Sequence, residues 1–154
     1  MQEHASPGST AKIAGHPIHP MIIPFPIASF VGAFVTDLVY SVQGADIWAL
    51  ASMWLLGAGL ATALLAAIAG FVDFATQRGI REHRAAWIHM IGNLSIVALQ
   101  ALNFLIRTGD PQAAVAPWGL VLSFIAFVGL HITGWMGWSL VYRHGVAVRD
   151  SATR

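Results

Sequence analysis

The sequence predicts an all-α integral membrane protein, an up-down bundle of four transmembrane helices with both termini cytoplasmic. Of its 154 residues, 56% are hydrophobic and 10% charged, whereas a soluble domain carries about 25% charged residues to cover its surface. Four apolar runs, at roughly 20–42, 47–72, 86–106 and 117–141, are each long enough to cross about 30 Å of hydrocarbon at ~1.5 Å per residue. Their connections are short, which favours antiparallel neighbours. With four crossings, one side holds Lys12, Arg78, Arg81, Arg84, Arg143, Arg149 and Arg154, and the other only Arg107. Seven cations against one set the orientation by the positive-inside rule.

Residues 1–15 read as a polar, disordered N-terminal tail, 16–145 as the transmembrane domain and 146–154 as a C-terminal tail. The start lacks a basic n-region and no small-residue cleavage site follows the first apolar run, so no cleaved signal peptide is expected. The chain enters its first run through "GHPIHPMIIPFPI", 15–27. Proline is tolerated in the first turn of a helix and costs about 3 kcal/mol inside one. The regular part of helix one is therefore expected to start near Pro24 to Pro26. Residues 16–23 are expected to be extended under the cytoplasmic mouth, holding His16 and His19 against it. A plainer reading makes this stretch an interfacial anchor whose imidazoles bond nearby carbonyls.

Helix two repeats small residues every four positions: Ala58, Thr62, Ala66 and Gly70, and Gly59, Ala63 and Ala67. Such spacing lets helix backbones approach closely. Packing alone explains it, and a cofactor groove is the sharper reading. The loop "DFATQRGIREHRAA", 73–86, is the most charged stretch. Helix three carries a polar stripe, His89, Asn93, Ile96, Gln100, Asn103 and Arg107, on one face at spacings of three or four. That face should turn inward, either for interhelical hydrogen bonds at about 0.6 kcal/mol each or as a proton or water path. Asp37, beside Thr36, sits at the matching depth of helix one to meet Asn103 or Arg107 as a structural pair. "TGDPQAAVA", 108–116, carries turn chemistry before helix four, where Gly129, Thr133 and Gly137 repeat the small-residue device.

The chain has no cysteine and seven histidines. Disulfides, thiolate metal sites, iron–sulfur clusters and covalently attached haem are excluded, so metal or haem chemistry rests on imidazole. Eight Lys and Arg are too few and too scattered for a nucleic-acid surface. No nucleophile–base–orienter set and no phosphate loop is present, so a self-sufficient enzyme is not expected.

Counting from the helix ends, His16, His19, Asp73, His89 and His144 converge at the cytoplasmic mouth. His131 lies about 18 Å deep, where an ionisable group is a functional hypothesis by default; the plain alternative is a neutral ring bonded to Asn93 or Thr62. A four-helix bundle with inward imidazoles suits haem b. Helices one and three are diagonal in such a bundle, so His19 and His89 approach one iron from opposite sides, with His131 replacing either if the haem sits deeper. Arg81, Arg84 and Arg143 are the rim cations for the propionates. The alternative is zinc or copper held by a set drawn from His16, His19, Asp73, His89, His131 and His144. A third reading is a non-catalytic protein with structural or pH-sensing histidines.

The segments "GHPIHPMIIPFPI" at 15–27, Asp37, "AGFVD" at 69–73 and "GWMGWSLVYRHGVAV" at 134–148 resemble the uncharacterised bacterial membrane family named domain of unknown function 2231, over about residues 14 to 149. The resemblance implies four transmembrane helices with no established activity. Family members fused to Rieske or cytochrome c modules imply traffic with electron transfer. His16, His19, Asp37, Asp73 and His144 fall on the family pattern, and Trp138 stands where it has a glycine. The combined expectation is a multi-pass protein of the bacterial inner membrane that binds haem b for electron transfer. Its partners would be the bilayer and a redox protein or quinone, and its small-residue faces also suit a homo-oligomer.

Overall fold

A computed structural model describes residues 9–143 and 145. A two-residue strand, β1 (Lys12–Ile13), pairs antiparallel with β2 (His16–Pro17). Between them Ala14 and Gly15 both take positive φ, 49° and 81°, as a tight two-residue hairpin requires. Then follow α1 (Ile18–Ile22), α2 (Pro24–Gln43), α3 (Asp46–Thr76), α4 (Arg78–Arg81), α5 (Arg84–Arg107), α6 (Pro111–Ala114) and α7 (Leu120–Tyr142). Four helical stretches, 18–43, 46–76, 84–107 and 111–142, are long and apolar enough to cross a membrane.

The entry into helix one differs from expectation. Residues 18–22 are helical, not extended. Pro17 caps α1, Pro20 is its third residue, and Pro24 and Pro26 are the first and third residues of α2. All three helical prolines thus fall in a first turn, where a backbone N–H has no intrahelical partner to lose. Splitting the entry into two first turns accommodates Pro20, Pro24 and Pro26 in helix, and only His16 and Pro17 keep the extended backbone expected of the segment. Residues 9–15, expected in the disordered tail, form the first strand and turn of the hairpin and the segment leading to it. Helix four also starts differently, through a widened turn at Val115–Gly119 with extended backbone at Ala116.

Around the bundle α2 packs on α3 and α7, and α5 packs on α7 and α3. The first and third crossings are therefore diagonal. A central cluster of Phe30, Ala33, Leu56 and Ala63 joins α2 to α3. Gly59 permits it, since a Cβ there would lie 2.5 Å from the Phe30 ring. A second cluster, Phe74, Ile80, Ala86 and Leu140, closes the end of the bundle near Asp73, here termed the near end.

The far end is held by charge. Arg107 and Asp37 are both 0% exposed and pair at 2.7 Å. Arg107 Nη1 donates to Asp37 Oδ1 and to Ser52 Oγ (2.9 Å), and Nη2 donates to Asp37 Oδ2 (2.8 Å). Ser123 donates to Asp37 Oδ2 at 2.7 Å, and Arg107 Nε to Asn103 Oδ1 at 3.0 Å. Asn103 Nδ2 donates to Ser123 and to Gln100. The expected Asp37–Arg107 contact is present. Thr36 instead donates to Gly32 and Ala33 carbonyls of its own helix.

Removing one member of a buried ion pair leaves an uncompensated charge, which costs about 3–5 kcal/mol. D37A should therefore lower stability in detergent by that amount, read from thermal or denaturant unfolding. D37L/R107M should recover most of the loss, because an apolar pair leaves no charge behind.

Candidate functional site

Toward the near end the helices part around a cavity of about 420 Å³. Its walls are apolar, formed by Phe30 and Ile27 of α2, Ala63, Ala66 and Phe71 of α3, Leu94 and Val97 of α5, and Leu130 and Val141 of α7. His19, Asp73, His89 and Asn93 contribute its polar groups.

His19 is presented by α1, and its Nδ1 lies 2.8 Å from the Ala66 carbonyl. His89, on α5, sets its Nδ1 3.0 Å from the Thr133 carbonyl. A carbonyl only accepts, so in each ring Nδ1 carries the hydrogen. The neutral imidazole then keeps a lone pair on Nε2, at the opposite side of the ring. Both rings line the same cavity.

Each ring is seated on a glycine. A Cβ at Gly70 would lie 2.8 Å from His19 Nδ1, and one at Gly137 would lie 3.0 Å from the His89 ring. The small residues of the second and fourth crossings meet side chains of neighbouring helices. Gly59 lets helices approach, and Gly70 and Gly137 make room for rings. Asn93 supports His89 by donating to its backbone carbonyl at 2.7 Å, and accepts from Thr133 at 3.3 Å.

The other expected site residues are placed elsewhere. His131 is exposed, with Nδ1 2.8 Å from the Phe127 carbonyl and its ring against the Phe127 ring. It reaches neither Asn93 nor Thr62 and does not line the cavity. His131 falls on the outer face of α7, opposite the buried Ala126 and Thr133 positions. His16 is exposed and bonds Ala14 within the hairpin turn. Asp73 is occupied by backbone and hydroxyl donors of residues 9–11. Among the described residues no three histidine, aspartate or glutamate side chains are grouped to hold an ion. His144 lies outside the described residues.

Of the rim cations, Arg81 donates to the Phe74 and Ala75 carbonyls, closing the end of α3. Arg84 is exposed in the first turn of α5. Arg143 stacks over Trp138, itself a cavity wall, at 5.9 Å. Trp138 builds an aromatic ladder with Trp135 and Tyr142. The roles of Gly70, Gly137 and the Ala66 and Thr133 carbonyls were not foreseen. The available signal was a glycine on a neighbouring crossing at each histidine's depth.

Residues 15–150 match a family model described as "Predicted membrane protein (DUF2231)". The chain belongs to this family. No curated protein and no solved structure matches it. Family membership and the four spanning helices make it a multi-pass membrane protein.

Overpacking a filled site costs about 1–3 kcal/mol, while an open surface position changes stability by under about 0.5 kcal/mol. G70A should therefore destabilise the protein in thermal unfolding and displace the His19 ring. G134A, where a Cβ meets nothing within 4 Å, should leave the midpoint unchanged.

Proposed function

We propose that this protein binds haem b in the near-end cavity, where His19 and His89 would be the residues that hold it, and serves membrane electron transfer. The observation that carries the reading is a pair of imidazoles from diagonal crossings that line one apolar cavity, each with Nδ1 tied to a backbone carbonyl. Ligating histidines almost always donate their other ring N–H to such an acceptor, which fixes tautomer and orientation and raises ligand basicity. Two neutral imidazoles without thiolate are a haem b ligand set. The volume, about 420 Å³, lies within the roughly 300–1,000 Å³ of small-molecule sites. When bound, haem supplies one-electron chemistry tuned by its axial ligands and by burial. The protein's own part is to fix the two rings, exclude water with Phe30, Leu130 and Val97, and offer Arg143 beside the Trp138 wall as the propionate cation. The near end faces the cytoplasm in this reading, by the cation asymmetry of the sequence.

A second reading has a lipid-soluble ligand of the quinone class in the same cavity. What favours it is that Phe71 and Leu94 line the cavity while remaining 63% and 52% exposed on adjacent helices. The cavity wall therefore reaches the surface that meets lipid.

The absorption spectrum of protein purified from haem-replete cells separates these. Haem binding is expected to give a Soret band with low-spin, six-coordinate character. H19Q and H89Q should each lose that character, and H131Q should keep it. A colourless wild-type preparation sinks the haem reading and leaves the quinone-class one, tested by organic extraction of the same preparation.

A further inference from the structure

The cavity does not explain Asp73. It sits in the last turn of α3, where the helix dipole disfavours a carboxylate, and it is buried to 8% exposure. Such a group persists when donors satisfy it, and its donors all come from one segment. Ser9 Oγ lies 2.8 Å from Oδ2, and the Thr10 and Ala11 backbone N–H groups donate to Oδ1 at 2.6 and 2.8 Å. Thr76 and Gln77 add bonds to the Thr10 hydroxyl at 2.9 and 2.7 Å. The end of α3 thus clamps residues 9–11.

That clamp leads directly to His19. The Ile18 N–H donates to the Ala11 carbonyl at 2.9 Å, closing the hairpin at the first residue of α1. The helix α1 has five residues and buries none of them, and so short a helix does not hold itself. Its position depends on the clamped strap at one end, on α2 at the other, and on the His19–Ala66 bond between them.

We propose that Asp73 is a positioning residue for the His19 imidazole, acting through the strap of residues 9–17. The importance of that ring rests on the reading of His19 as a cavity ligand, whereas the mechanical link does not. Asp73 stands at the edge of the cavity, and its carboxylate oxygens accept the N–H and O–H groups of residues 9–11.

The test uses the full chain in detergent micelles without added haem, with ¹⁵N-labelled histidine. In the wild type, His19 and His89 should each give the signal of a ring protonated at Nδ1 and bonded to a carbonyl. D73A should abolish that fixed-tautomer signal for His19 and leave the His89 signal unchanged as internal control. S9A/A11P, which removes two donors from the strap while leaving the bundle untouched, should do the same, and it decides the matter if D73A does not fold. A His19 signal identical to wild type in the folded variant overturns the proposal. On haem-loaded protein, D73A should convert six-coordinate iron to five-coordinate. A wild-type preparation with no Soret band ends the haem reading and leaves the histidine spectra to judge the strap.

Discussion

The Asp37–Arg107 pair is the constraint on which the arrangement of this bundle depends. Lipid offers no solvation to either charge, so an unanswered carboxylate or guanidinium at this depth is strongly unfavourable. The partners come from all four crossings: Asp37 from α2, Ser52 from α3, Asn103 and Arg107 from α5, and Ser123 from α7. Satisfying the pair therefore fixes the rotation of all four helices about their axes, which apolar packing against lipid-like side chains would leave loosely determined. Gln100 marks the limit of the network. Its Oε1 accepts from Asn103, and its Nε2 is the one buried side-chain atom without a partner among the described residues.

Rotation fixed at the far end determines what faces inward at the near end. The stripe on α5 that carries Arg107, Asn103 and Gln100 inward carries Asn93 and His89 to the cavity three to five turns away. The same holds for α3, where Ser52, Gly59, Ala63, Ala66 and Gly70 lie along one side. Polar contacts draw the helices together at one end. At the other, His19 and His89 lie against Gly70 and Gly137 and line the cavity. The bundle is thus a tight clasp at one end and a ligand-sized opening at the other.

Much of this was legible in the sequence because it follows from period and composition. Four apolar runs gave four crossings, and spacing of three or four gave the inward face of α5. Asp37 found Arg107 because membrane depth leaves few partners for a lone carboxylate. The prolines misled for a physical reason. A proline forbids a helix interior but not a first turn, and the chain makes two first turns in succession. His131 misled because depth along a helix says nothing about which face a residue occupies. Its distance from Arg143 gives its depth, but only its offset from Ala126 and Thr133 gives its direction. Asp73 was placed at the correct level, yet its partners were backbone N–H groups of a segment read as tail. No side-chain pattern in that segment announces such a role.

The contrast between His131 and the cavity pair is informative about what the pair is for. All three rings meet a backbone carbonyl through Nδ1, so none of them differs in the satisfied half of the ring. The difference lies in Nε2. For His131 it belongs to an exposed ring on the outer face of α7. For His19 and His89 it belongs to rings that line a shared apolar cavity, each seated on a glycine that no other residue could replace without moving the ring. Asn93 Nδ2 lies 3.5 Å from His89 Nε2, so the amide one turn along α5 stands beside the ring nitrogen that its carbonyl bond leaves over, and the cavity pair differs from His131 in where that nitrogen sits.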